Sequence, residues 1–234
     1  ARIAGTLGLR AQIDLPAGSF TMLPRIGQFA VEGLGTEAML NARTSCGPPS
    51  RLTSDSWLAR AVIAAEDQRF FTHPGYDLAE LMSAAETNQA AGQVERGGST
   101  LTQQLARVIA TGGERNMERK LRELLYAVEM EETLGKARIL HLYLDNAPWG
   151  SGLCGAEAAA RKYFRRGARN LEPAQAVWLA AMLHNPGAAV EKWQRDGKID
   201  VARARHVAEG MRGLSKIQRD ILLRNIANPG FTPP

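Results

Sequence analysis

From residue 53 onward, apolar positions recur at helical spacing. Trp57, Leu58, Ala61, Val62 and Ala65 predict a helix that runs into Glu66-Asp67, with Thr53-Ser54-Asp55 as N-cap candidates. Leu78, Leu81, Met82 and Ala85 predict a second helix behind Asp77, and the polar stretch from Asn88 to Gly98 predicts a mobile loop. A short helix is expected near Thr100, carrying Gln103, Gln104 and Arg107. The longest is expected over 114–133, with Met117, Leu121, Leu124, Leu125 and Val128 as its apolar stripe. Further helices are expected over 136–144 and 156–164, and one begins at Glu172-Pro173, with Asn185-Pro186-Gly187 as its stop. Two weaker amphipathic stretches, about 199–212 and 216–227, close the chain.

Before residue 53 the pattern breaks. Gly and Pro alternate with short apolar pieces, as in Ile13-Asp14-Leu15-Pro16-Ala17-Gly18 and Cys46-Gly47-Pro48-Pro49, which predicts short strands and irregular linker. The organisation expected is therefore an N-terminal extension over 1–52, a helical core over 53–190 and a C-terminal helical segment over 191–234 packing on that core. The body is mainly α.

Composition narrows the function. Lys and Arg number 29 against 24 Asp and Glu, so the formal net charge is 29 − 24 = +5. That suits a surface meeting phosphate or lipid. Aromatics are only 6 %, and no basic run of five occurs, so nucleic acid is not an expected partner. Cys46 and Cys154 are the only cysteines, too few for a disulfide scaffold or a four-cysteine zinc site; they can pair only in an oxidising compartment. No stretch approaches the ~18 apolar residues of a membrane span. The chain also opens without an initiator Met or signal-peptide pattern, so a fragment lacking an N-terminal anchor is expected.

Several chemistries drop out. Gly33-Leu34-Gly35-Thr36-Glu37-Ala38 is a loose dinucleotide fingerprint, but Cys46-Gly47-Pro48-Pro49 cuts short the following helix and no βαβ pattern accompanies it. The four His residues lack paired metal spacing, and there is neither a Walker A loop nor a Gly-x-Ser-x-Gly elbow.

Three clusters remain. Glu66-Asp67-Gln68-Arg69-Phe70-Phe71-Thr72-His73-Pro74-Gly75 sets an acidic pair against aromatics and a Pro-Gly turn, an environment that makes a carboxylate a better base. Gly97-Gly98-Ser99-Thr100 enters a helix carrying Gln103, Gln104 and Arg107. Free N–H groups there suit an anion, and the paired glutamines suit sugar hydroxyls or amides. Arg115, Arg119, Arg122 and Glu123 fall within about a 100° sector of the long helix, opposite its Leu-rich stripe, a face able to hold a phosphate-bearing ligand. Each cluster also has a bland reading: a solvated helix end, a capped polar helix, and an Arg119–Glu123 surface pair.

In order, these clusters resemble the peptidoglycan glycosyltransferases, family 51 of the glycosyltransferases. The match runs through Glu66-Asp67-x-x-Phe70-x-x-His73-x-Gly75, Gly97-Gly98-Ser99-Thr100-Leu101-Thr102-Gln103-Gln104 and Arg119-Lys120-x-x-Glu123. It continues through Lys136-x-x-Ile139-Leu140-x-x-Tyr143-Leu144, Gly155-Ala156-Glu157-Ala158-Ala159-Ala160-x-x-Tyr163-Phe164 and Leu179-Ala180-Ala181-Met182-Leu183-His184-Asn185-Pro186. It spans about residues 57–187. Arg107 stands where the family usually has Lys, and Asp145-Asn146-Ala147-Pro148 departs from the usual pattern. No transpeptidase motif set is present.

The resemblance implies a mainly α, lysozyme-like fold of two lobes across a cleft. It implies polymerisation of lipid II into β-1,4-linked glycan with inversion and release of undecaprenyl pyrophosphate. Glu66 and Glu123 are implied as catalytic. Asp67, Phe70, His73, Gly98, Ser99, Thr100, Gln103, Gln104, Arg107, Arg115, Arg119 and Lys120 are implied as substrate-binding. Glu123 is the candidate for a divalent cation, Mg or Mn, held through the donor pyrophosphate; no organic cofactor is expected. The expected partners are lipid II, the nascent strand, a membrane surface touched by Phe70, Phe71 or the 76–95 region, and other cell-wall synthesis proteins. The location implied is the periplasmic face of a bacterial inner membrane. The rival readings are a lysozyme-like glycan-cleaving enzyme and a weakened lipid II or cell-wall binding module.

Overall fold

The computed structural model describes residues 1–16, 19–92, 97–112, 116–150, 152–197 and 200–227. It opens with two antiparallel strands, β1 (Arg2–Asp14) and β2 (Ser19–Glu32), in register from Arg2 opposite Glu32 to Asp14 opposite Ser19 with one irregularity between Ala4 and Thr6. The strands are long, at 13 and 14 residues, where short ones were expected. Thr6, Gly8, Arg10, Gln12 and Asp14 alternate with Leu7, Leu9, Ala11 and Ile13, a period of two that the Gly and Pro content masks. Pro24 is tolerated opposite Leu9 because each strand of a two-stranded ribbon keeps one open edge. Leu7, Leu9 and Ile13 share a face and are exposed.

Among the described residues ten α-helices follow: α1 (Trp57–Glu66), α2 (Leu78–Ala91), α3 (Leu101–Ala106), α4 (Met117–Thr133), α5 (Gly135–Asn146), α6 (Ala156–Phe164), α7 (Pro173–Met182), α8 (Pro186–Asp196), α9 (Val201–Gly210) and α10 (Lys216–Ala227). The mainly α architecture is as expected. Helix α7 is apolar nearly all round, so it sits in the centre of the core, packed by α1, α6, α9 and α10. Its first turn carries a Glu172–Gln175 capping box with Pro173 at the first helical position. Helix α3 packs on α4 and α5. None of the described helices is long and apolar enough to cross a membrane.

Several boundaries differ from expectation. Helix α2 continues to Ala91, through the start of the anticipated loop; residues 93–96 lie outside the described part. The N-cap position of α1 is Ser56 rather than Thr53 to Asp55, and its hydroxyl donates back to the Thr53 carbonyl instead of capping the helix. Helix α4 begins at Met117, and its stripe is split: Met117 and Leu121 are 84 % and 56 % exposed, whereas Val128 is buried. Asn185-Pro186-Gly187 ends one helix but also starts α8, because the Asn185 side chain accepts from the Ala188 N–H. Trp193 of α8 then stacks on Tyr163 and meets Trp178 edge-on.

Two of the contacts that hold the N-terminal segment to the helices stand out. The glycine-rich turn discarded as a dinucleotide site does bind an anion, but the anion is Glu129 of α4. This buried carboxylate accepts from the N–H groups of Leu34 and Thr36 and from the Thr36 hydroxyl. Gly33 and Gly35, at φ of 84° and 81°, bend the chain around it. The second tether is a disulfide between Cys46 and Cys154. Beside it, Asp145 accepts from the Ser50 N–H and hydroxyl, and its carbonyl accepts from Thr44. The departure at Asp145 therefore serves this junction.

Candidate active site

Helix α3 has only six residues and is fixed at its start by neighbours. Thr100 and Gln103 form a capping box, and the Thr100 hydroxyl donates to the Gly75 carbonyl. The Leu101 N–H donates to Asp67 Oδ2 at 2.8 Å. One N–H of this helix start, that of Leu101, thus serves Asp67. Gly98 has a packing reason: a Cβ there would stand 3.0 Å from Leu81 Cα. At Gly75, φ is +90° and a Cβ would lie 2.7 Å from the Ala127 carbonyl oxygen, so only glycine lets the turn press on α4.

Of the consecutive glutamines of α3, Gln104 reaches Glu66 and Gln103 faces the lysine that pairs with Glu123. Gln104 Nε2 donates to Glu66 Oε2 at 3.0 Å, and Gln104 Oε1 accepts from the Tyr143 hydroxyl of α5 at 3.0 Å. Burial pushes the Tyr143 phenol well above its ordinary range; the charge of Glu66 adds to that push and Arg107 opposes it. Tyr143 therefore remains a donor, holding the amide in one orientation. Glu66 ends α1 with its side chain 9 % exposed, and its Oε1 is buried without a hydrogen-bond partner.

On the other side, Gln103 Oε1 lies 3.5 Å from Lys120 Nζ, which also reaches Ser99 Oγ at 2.6 Å and Glu123 Oε2 at 3.0 Å. Arg119 Nη1 stands 3.1 Å from Glu123 Oε1. Two cations against one buried carboxylate leave a net positive charge bordered by a serine and an amide. That composition suits an anionic ligand. It does not suit a resident divalent ion, since both Glu123 oxygens already face cations. Among the described residues no cluster of three or more His, Cys, Asp or Glu could cage a metal.

Other expected site residues stand elsewhere. Asp67 and His73 are buried against one another, with His73 Nε2 2.8 Å from Asp67 Oδ2. The Gly75 N–H donates to His73 Nδ1, so Nε2 is the donor toward Asp67. The pair braces the turn between α1 and α3. Phe70 is fully buried, under the Lys136 ammonium at 4.6 Å, so it meets neither ligand nor lipid. Arg122 turns away to pair with exposed Glu118. Arg107 is exposed where α3 runs into a π-helical turn over Arg107–Thr111. Arg115 lies outside the described residues.

Sequence reasoning missed two members. Tyr143 was visible as a motif residue, but nothing local pairs it with Gln104. Arg203 of α9, whose Nη2 is 3.8 Å from Glu66 Oε1, lies beyond the quoted motifs and carries no signal in its own segment.

A short helix thus stands between a half-restrained carboxylate and a cation-bound one, an arrangement suited to acid–base chemistry beside an anionic group. Residues 49–212 match the family described as Transglycosylase. The chain is 41 % identical over 167 residues to a biosynthetic peptidoglycan transglycosylase of Thiobacillus denitrificans, covering 70 % of this chain and 71 % of that protein. A protein of the same description from Alcanivorax borkumensis is 41 % identical over 177 residues, 76 % of this chain and 67 % of its own. The chain belongs to the transglycosylase family and is a glycosyltransferase.

Proposed function

We propose that this enzyme polymerises lipid II into β-1,4-linked glycan. The observation that carries the reading is the asymmetry around Glu66: Gln104 holds Oε2, while Oε1 accepts no hydrogen bond among the described residues and is available to take a proton. The acceptor sugar's 4-hydroxyl gives its proton to Oε1 as its oxygen forms a bond to the donor's anomeric carbon. The bond from that carbon to the diphosphate breaks, and the departing oxygen keeps the electron pair. Attack opposite the leaving group turns an α-linked donor into a β linkage. Charge developing on the diphosphate is met by Lys120 and Arg119, which Glu123 holds in place. A glycan hydrolase has no use for such cations, which favours chain growth over cleavage.

Incubation with lipid II and, separately, with preformed glycan tests this. Growth of polymer supports the reading; shortening of glycan without growth overturns it. In the Glu66→Gln variant polymerisation is lost while lipid II still binds. Unchanged turnover would remove Glu66 as base.

A lipid-linked substrate places the reaction at a membrane, outside the cytoplasm on this reading. Phe71, Leu81, Val108, Met117 and Leu121 are exposed apolar side chains near the motif segments and supply the contact. Liposome flotation should weaken in the Met117→Ser, Leu121→Ser double variant; equal flotation would dismiss these two residues.

A further inference from the structure

Glu66 Oε1, like Glu123 Oε1 beside Arg119, is a buried carboxylate oxygen without a hydrogen bond. Such an atom carries a large desolvation cost unless a charge compensates it. The compensating charge comes from α9: Arg203 Nη2 lies 3.8 Å from Glu66 Oε1 and donates to the Ala65 carbonyl at 2.8 Å. Arg203 Nε is itself buried without a hydrogen-bond partner, so the guanidinium is held in this position by one carbonyl and the carboxylate's field. The Ala65 contact also sets a cation at the C-terminal end of α1, where the helix dipole favours it.

Resting on the reading of Glu66 as base, we infer that Arg203 is a positioning residue for it: it aims the carboxylate without hydrogen-bonding the oxygen that takes the proton. At 3.8 Å the separation is too long for a hydrogen bond and short enough for strong attraction. A closer, bidentate pair would occupy Oε1 and blunt the base. The other groups facing Glu66 are the neutral Gln104 amide, the Tyr143 phenol behind it, and Arg107, whose field reaches the same phenol. Arg203 is thus the charged group in direct reach of Oε1 among the described residues. The C-terminal segment, which the quoted motifs do not include, completes the catalytic unit.

The test compares Arg203→Met, which keeps an unbranched apolar stem, with Arg203→Lys in the full chain, each checked by thermal melting. Arg203→Met should lower kcat roughly tenfold, part of the ~10²–10⁴-fold that a positioned base supplies, with KM within about twofold. The acid limb of the rate–pH profile should move to higher pH, and Arg203→Lys should restore most of both. A fall in kcat with the acid limb unmoved, or no change in either, overturns the inference. Wild-type protein that fails to polymerise lipid II defeats the base reading instead. The inference is then decided by carbon-13 NMR: the Glu66 carboxyl must take up its proton at higher pH in Arg203→Met than in wild type, and coincident titrations reject it. Should Arg203→Met not fold, Arg203→Gln takes its place in both measurements.

Discussion

Gln104 links Glu66 to Tyr143: one end of its amide donates to the carboxylate and the other accepts from the phenol, each at 3.0 Å. Flipping the amide would turn its carbonyl oxygen onto the carboxylate, acceptor against acceptor. In Gln104→Leu both ends lose their partner at once, which costs about 1–3 kcal/mol for the unsatisfied groups. Polymerisation should fall about tenfold as the base loses its restraint. Denaturant unfolding and initial rates with lipid II measure the two effects; full activity would show that Glu66 needs no such clamp.

Asp67 sits next to Glu66 but has a different task. Its Oδ2 takes both the Leu101 N–H and His73 Nε2, joining the end of α1 to the start of α3. Asp67→Ala leaves both donors unsatisfied in a buried setting, and about 2–4 kcal/mol of stability should be lost. The loss of activity should follow the loss of folded protein. If activity vanished while thermal melting stayed unchanged, Asp67 would have a role at the substrate.

Glu129 predicts a local effect. Its removal orphans the Leu34 and Thr36 donors and frees the turn that connects the ribbon to α4. Glu129→Ala should cost about 2–3 kcal/mol and speed amide exchange over residues 34–40 ahead of the rest of the chain. Exchange that rises evenly everywhere would contradict a local anchor.

The disulfide joins residues separated by 108 positions. A loop of that size is worth about 4–5 kcal/mol by chain entropy. Melting with and without reductant, or of the Cys46→Ala, Cys154→Ala double variant, should differ accordingly, and unchanged melting would remove the cross-link from the account of stability.

What the sequence made legible was local. Helices α5, α6 and α7 lie close to where their periodicity and caps put them, because those signals are contained within a turn or two of chain. The ordered motifs led to both carboxylates. The hidden features depend on residues far apart in sequence. Two glycines mark the entry to α3, but nothing local shows that Asp67, 34 positions from Leu101, takes an N–H of its first turn. Gly33 to Thr36 signals a phosphate turn, yet Glu129 takes the phosphate's place. Arg203 comes from 138 positions beyond Ala65. Helix α8 was overlooked for the opposite reason: its Asn-Pro start doubles as the previous helix's end, and only the stop was read.

The bond between Cys46 and Cys154 closes a covalent ring around α1 to α5, and so around Glu66, Gln104, Glu123 and the cations beside it, with Arg203 left outside. A protease that nicks the backbone once anywhere inside that ring sheds nothing: the two pieces stay on one molecule until a thiol opens them. Where such cuts occur, the machinery is damaged in place rather than dispersed, and gels run without reductant will hide the injury.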